Sequence, residues 1–220
     1  MVDPTPVLLL DRELNMLPPK KFRMRKSHQG FTIVELVTVI AIISILLGLL
    51  ISAVFGIQNK AKRAKSEALF GKLITSLSAY RKDNGAYPNI GNSSDSGDRV
   101  IDLNNDEEWK LFAEIMALSL PDGSVIENPQ TNQSLKKSNP KLKRYFDLQL
   151  SELDKIGGSE RLVDAFGNPQ IYIVVDANLD GRIKAASLPA SAKKDLRQRI
   201  VIYTTDEEDD DFPELKSWDS

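Results

Sequence analysis

A chain of 220 residues, 27% charged and 41% hydrophobic, has the make-up of a folded protein and is long enough for one anchor and one modest soluble domain. It has no cysteine and one histidine, His28, so disulfides, thiolate metal sites, a two-histidine zinc site and a histidine-based triad beyond residue 30 are excluded. The formal charge is −2; residues 1–30 hold six Lys or Arg and three acids, which leaves 23 basic and 28 acidic residues after them, a balance that opposes nucleic-acid binding.

Residues 1–23 hold Pro4, Pro6, Pro18 and Pro19 and show no clear periodicity. They read as a disordered extension or as the product of an early start codon. A basic stretch then ends in Gly30, and Phe31-Thr32-Ile33-Val34-Glu35 leads into residues 36–57, 22 residues without a charge. As a helix this segment is about 33 Å long, enough to cross a hydrocarbon core. It is too long for the apolar part of a signal peptide, and Ser52-Ala53-Val54-Phe55-Gly56 is a poor cleavage site. Both flanks are basic, so loop charge does not set the orientation. Glu35 is the costly element, since an acid in such a segment opposes insertion by about 2.5–3.5 kcal/mol. Either it snorkels to the headgroups or it has a functional partner.

The helical pattern continues past Ile57. Ala61, Ala64, Ala68, Leu69, Leu73, Ile74, Leu77 and Tyr80 recur at spacings of mostly three or four, which predicts one buried stripe, with Lys60, Lys62, Arg63, Lys65 and Lys72 on a solvated face. No proline interrupts residues 31–82, so no proline kink is expected. Asp83-Asn84-Gly85 ends the helix. Residues 89–105 read as a loop. Residues 106–120 read as a helix with Asp106, Glu107 and Glu108 at its start and Trp109, Phe112, Ile115, Met116 and Leu120 facing a core. Residues 124–140 read as loop, and a short extended segment is expected over 144–148. Strands are expected over 171–175 and 199–204, paired antiparallel, with a short helix over 190–198 between them.

Gly30-Phe31-Thr32-Ile33-Val34-Glu35-Leu36, behind a basic leader and ahead of a full apolar helix, resembles the processing site of type IV pilins and type II secretion pseudopilins. Asn84-Gly85-Ala86-Tyr87-Pro88 resembles the turn after the long helix of major pseudopilins. Leu162-Val163-Asp164-Ala165-Phe166-Gly167-Asn168-Pro169-Gln170-Ile171-Tyr172 resembles their Asp-Pro-Trp-Gly-Asn-Pro-x-x-Tyr box, with Ala165 for the proline and Phe166 for the tryptophan. The resemblance implies an α+β pilin-like fold: a long N-terminal helix on a small antiparallel sheet with short helices. It divides the chain into a cytoplasmic leader 1–30 removed by a prepilin peptidase, a transmembrane or filament-core half-helix 31–57, an amphipathic half-helix 58–83 and an exported globular domain 84–220.

Under this resemblance cleavage falls between Gly30 and Phe31, and the new amine at Phe31 is methylated. Glu35 of one subunit then pairs with the Phe31 amine of its neighbour. The implied function is a structural filament subunit of a type II secretion-like system, not an enzyme. Its partners are the peptidase/methylase, other pseudopilin subunits, an inner-membrane assembly platform and, before assembly, the lipid bilayer. A type IV pilin of an adhesion, motility or DNA-uptake fibre is the alternative, and a membrane-anchored enzyme or receptor a more distant one. No cofactor is required.

Two acidic clusters bear on calcium. In Asp206-Glu207-Glu208-Asp209-Asp210-Asp211 the resemblance implies a calcium loop through Asp206, Asp209, Asp210 and Asp211, followed by the closing segment Glu214-Leu215-Lys216-Ser217-Trp218. Asp176-Ala177-Asn178-Leu179-Asp180-Gly181 matches the first half of an EF-hand loop but has Ser187 at the twelfth position. Asp176, Asn178 and Asp180 are therefore the alternative ligands, or simply an Asp/Asn-rich turn.

Overall fold

The computed structural model describes residues 30–94, 97–205 and 212–218, the side chains of 49–56 excepted. The chain divides into two units, Met1–Leu49 and Leu50–Ser220. Helix α1 is Ile33–Asn84. In the first unit every described side chain from Phe31 to Gly48 is exposed, among them Phe31 at 79% and Ile33 at 81%. Among the described residues no helix is long and apolar enough to cross a membrane. Those with described side chains take in the expected span only as far as Gly48, and then Ile57.

In the second unit α1 supplies Ser66, Leu69, Phe70, Leu73, Ser76, Leu77 and Tyr80 to the buried interior. The expected stripe is thus correct from Leu69 onward. Ala61, Ala64 and Ala68 lie outside it and are exposed, and Phe70, Ser66 and Ser76 replace them. Small side chains gain little from burial, so their spacing is a weaker guide than that of Leu and Phe. The helix stops where expected: the Gly85 N–H donates to the Arg81 carbonyl at 2.7 Å.

Beyond α1 the chain forms a four-stranded antiparallel sheet in the order β1-β2-β5-β6, with β1 Asn92–Ser93, β2 Arg99–Asp102, β5 Ile171–Val175 and β6 Ile200–Thr204. The β5–β6 pairing sets Ile171 opposite Thr204 and Val175 opposite Ile200, as expected for these two strands. The first two strands correct the expected loop over 89–105. Ile101 and Leu103 are fully buried there, hidden in sequence among Gly, Ser, Asp and Asn.

Alternation along the sheet separates two interiors. Ile101, Ile171, Ile173, Val175, Ile200 and Ile202 join the α1 residues in the main core. Val174, Val201 and Tyr203 form the other, with Tyr172, Leu188, Leu196 and Trp218 packed against them. The closing segment runs along β6: the Thr204 N–H donates to the Leu215 carbonyl and the Ser217 N–H to that of Ile202. This covers an edge that would otherwise offer unpaired backbone groups.

Helix α2, Asp106–Phe112, is capped by Asn105, whose side chain accepts from the N–H groups of Glu107 and Glu108. It passes into a π-helical turn, Ala113–Ala117, and ends at Leu118 with a left-handed backbone. Trp109, Phe112, Ile115 and Met116 are buried as expected, whereas Leu120 is exposed. Helix α3, Gln133–Ser138, occupies a segment expected to be loop, and Asn132 caps it. Residues 144–148 form no strand. They are held as irregular chain by the Met116 carbonyl, which accepts from the N–H groups of Tyr145 and Phe146. Strands β3 (Leu153–Ile156) and β4 (Ser159–Leu162) make a separate ribbon. No helix forms over 190–198; Ile183 and Leu196 bridge instead, and one 3-10 turn lies at Ala185–Ser187. The architecture is α+β, one long helix with a small antiparallel sheet and short helices.

Candidate processing and assembly site

At the start of α1, Thr32 and Glu35 bond reciprocally. The Glu35 carboxylate accepts from the Thr32 N–H at 2.9 Å and from its hydroxyl at 2.8 Å, while the Glu35 N–H donates to Thr32 Oγ1 at 3.2 Å. This is a capping box, Thr-x-x-Glu, that pairs backbone N–H groups an α-helix leaves unsatisfied at its first turn. Reading Glu35 only as a membrane acid missed this local role, although the Thr32-to-Glu35 spacing alone signals it. Gly30 and Phe31 precede the helix in irregular, exposed chain, and a Cβ built on Gly30 meets nothing within 4 Å. A peptide bond between two such residues is open to an enzyme. From Ile33 to Leu47 the exposed surface is mostly Ile, Val and Leu, with Thr38, Ala41 and Ser44 among them and Glu35 as its one charge.

In the second unit the Asp164 box forms a tight turn on α1. The buried Asp164 Oδ1 accepts from the N–H groups of Phe166 at 2.8 Å and Asn168 at 2.9 Å. The Ala165 N–H donates to the fully buried Ser66 hydroxyl at 3.0 Å. Asn168 Nδ2 donates to the Thr205 carbonyl, and its Oδ1 accepts from the Gln170 N–H. Gly167 takes the positive φ of 91° that the turn demands. Desolvation pushes the Asp164 carboxyl above its ordinary range, and the N–H groups aimed at it oppose this only in part. The box therefore fixes the end of the sheet to the helix. Ser66, its anchor on α1, has no signal in the sequence beyond being a polar residue within an apolar period.

Asp206, Asp209, Asp210 and Asp211 lie outside the described residues. Asp176, Asn178 and Asp180 form a turn whose oxygens are engaged. Asp176 is fully buried and accepts from the N–H groups of Asp180 and Gly181. Asn178 Oδ1 accepts from the Asp180 N–H at 3.0 Å. Asp180 accepts from the Arg182 N–H and pairs with Lys184 at 3.3 Å. Asp176 and Asn178 thus meet backbone N–H groups, and Asp180 divides between a backbone N–H and Lys184. Among the described residues no group of three His, Cys, Asp or Glu could hold a metal ion.

The chain thus exposes an apolar helix behind a Gly-Phe-Thr-x-x-Glu start, a pattern that resembles pilin-like proteins. Residues 25–51 match the family described as the prokaryotic N-terminal methylation motif. Over 64 residues the chain is 38% identical to the type II secretion system core protein G of Klebsiella michiganensis, covering 29% of this chain and 45% of that protein. It is 32% identical over 65 residues to the protein of the same name from Dickeya chrysanthemi, 30% of this chain and 42% of that one. With the Pectobacterium carotovorum subsp. carotovorum protein of that name the figure is 34% over 61 residues, 28% and 39%. The matches thus span less than half the length of these curated relatives. No solved structure matches the chain. The chain thus carries the N-terminal methylation motif and is similar, over part of its length, to these type II secretion core proteins G.

Proposed function

We propose that this protein is a pseudopilin: a filament subunit of a type II secretion-like system, cut between Gly30 and Phe31, methylated at the new amine and assembled through its N-terminal helix. Residues 1–30 are the cytoplasmic leader. Residues 31–57 cross the inner membrane first and form the filament core later, 58–83 carry the exported domain, and residues 84–220 complete it on the periplasmic side. The observation that carries this reading is the apolar, exposed surface from Phe31 to Leu47 beginning at the methylation motif. Such a surface is unfavourable in water at about 25 cal/mol per Å² and needs lipid or other subunits around it. The chain does no covalent chemistry in this role; it is the substrate of the peptidase and methylase.

Intact-mass measurement of the membrane-extracted protein tests the claim. The expected mature chain starts at Phe31 and carries one added methyl group. Gly30→Leu should leave the precursor uncut, because the open space around Gly30 lets the fold accept leucine while the cleavage site no longer presents glycine. A mature start beyond Ile57, or full processing of the Gly30→Leu chain, would remove the basis for this reading.

A further inference from the structure

A basic cleft lies at the C-terminal end of α1. Ser78, Arg81, Lys82, Gly85, Tyr87 and Arg199 line it, around about 430 Å³. Arg81 stacks over the Tyr87 ring at 5.3 Å, which holds its guanidinium at the cleft wall. Among the described residues none of Arg81, Lys82 and Arg199 is in an ion pair. Arg81 and Lys82 suit the negative end of a helix dipole, but Arg199 directly precedes β6 and has no such reason to be there. Asp176, whose charge reaches Tyr87, is fully buried and committed to the N–H groups of Asp180 and Gly181. The cleft therefore offers three cations, two of them forked guanidinium groups suited to carboxylates.

The complementary charge is in the same sequence, where residues 206–211 are six consecutive acids. They follow β6 at the end opposite Arg199. Six residue steps of strand separate Arg199 from Thr205, about 20 Å. The chain after the run returns to that same far end, where the Leu215 N–H donates to Thr204 Oγ1 at 3.0 Å and its carbonyl accepts the Thr204 N–H. The described residues that flank the run, Thr205 before it and Leu215 after it, thus lie at the end of β6 opposite the basic cleft. Two different, complementary surfaces make a head-to-tail contact, the kind that propagates into an open fibre instead of closing into a dimer. One bound divalent cation would still leave the run four negative charges.

We propose that the cleft lined by Arg81, Lys82 and Arg199 receives the acidic run, residues 206–211, of a second copy of this chain. The contact rests on the filament reading above and adds to it an axial lock outside residues 31–57.

The chain has no cysteine, so disulfide trapping in the full-length protein is free of background. Ser78→Cys and Asp210→Cys subunits, produced together and oxidised in membranes, should give a cross-linked dimer, and neither alone should. Arg81→Glu with Arg199→Glu should lower sheared-filament yield about fivefold, as expected of exposed ion pairs. Asp209→Lys with Asp210→Lys should do the same, and the two sets combined should restore the yield. If filaments form but the mixed dimer and the charge-swap rescue are both missing, the lock is refuted and the filament reading stands. Trapping of Ser78→Cys on a different protein would give the cleft to another acidic partner and equally overturn the proposal. Unaltered protein that never forms filaments would overturn both claims.

Discussion

Glu35 has one observed role and one proposed role, and substitution can separate them. As the fourth member of a capping box it satisfies N–H groups at the start of α1, and glutamine does this nearly as well. In the proposed pairing with a neighbour's Phe31 amine it must be charged. Glu35→Gln should therefore preserve membrane insertion and helix start but lower sheared-filament yield about tenfold or more, because a buried cation is left unpaired. Filament yield at the level of the unaltered protein would show that capping is the whole of its role. Asp164 gives a second test at this scale. Its carboxyl is held above the ordinary range by burial, so the folded chain holds that proton to higher pH than the unfolded chain does. Its contribution is fully present below the unfolded value, near 3.9, and is lost as pH rises through the raised folded value. Asp164→Asn keeps an oxygen for the Phe166 and Asn168 N–H groups and removes the titration. The melting temperature of Asp164→Asn relative to the unaltered protein should rise between pH 4 and pH 7; a difference that is flat or falls with pH would contradict the burial argument.

Among the elements, what could be read from sequence follows how much apolar surface each one buries. The helix over 58–84 repeats Leu69, Leu73 and Leu77 at helical spacing and strands β5 and β6 are rich in Ile and Val, so their elements are read from sequence. The ribbon of β3 and β4 was missed because its strands, Leu-Asp-Lys-Ile and Ser-Glu-Arg-Leu, bury only Leu162 fully. The signal that marks it is Gly157-Gly158 between two short alternating segments, a hairpin turn. Helix α3 was hidden for a similar reason: it is six residues long and buries Leu135 alone, so only the cap at Asn132 announces it. At the candidate site the motif around Gly30 and the Asp164 turn were legible, and Ser66, the point where that turn meets α1, was not. It is a test of the docking of one element on another. Ser66→Ala should leave the Ala165 N–H without its 3.0 Å acceptor and destabilise the domain by about 1–3 kcal/mol in urea unfolding. A change below about 0.3 kcal/mol would mean that the box holds to α1 by other contacts.

For the whole molecule, the distribution of exposed apolar side chains is what separates a chain that lives in water from one that does not. Among the described residues the large exposed hydrophobics run from Phe31 to Leu47 and then include Ile57; beyond that only Leu111, Leu120, Val125, Leu150 and Leu179 remain. Five such residues are ordinary for a soluble domain, where over half of the surface is apolar in any case. The uninterrupted set before residue 48 is not, since each large aliphatic residue kept from water is worth about 1.5–3 kcal/mol. A fragment of residues 58–220 keeps the main core, including Leu69, Phe70, Leu73 and Leu77, and loses the whole N-terminal set. It should be soluble without detergent, sediment as a monomer and unfold cooperatively, while the full chain should stay in the membrane pellet through an alkaline carbonate wash. If the fragment also needs detergent, a second apolar surface lies outside the N-terminal helix. If the full chain is released by carbonate, the N-terminal segment does not anchor it, and the order of events proposed here, membrane first and filament afterwards, fails at its first step.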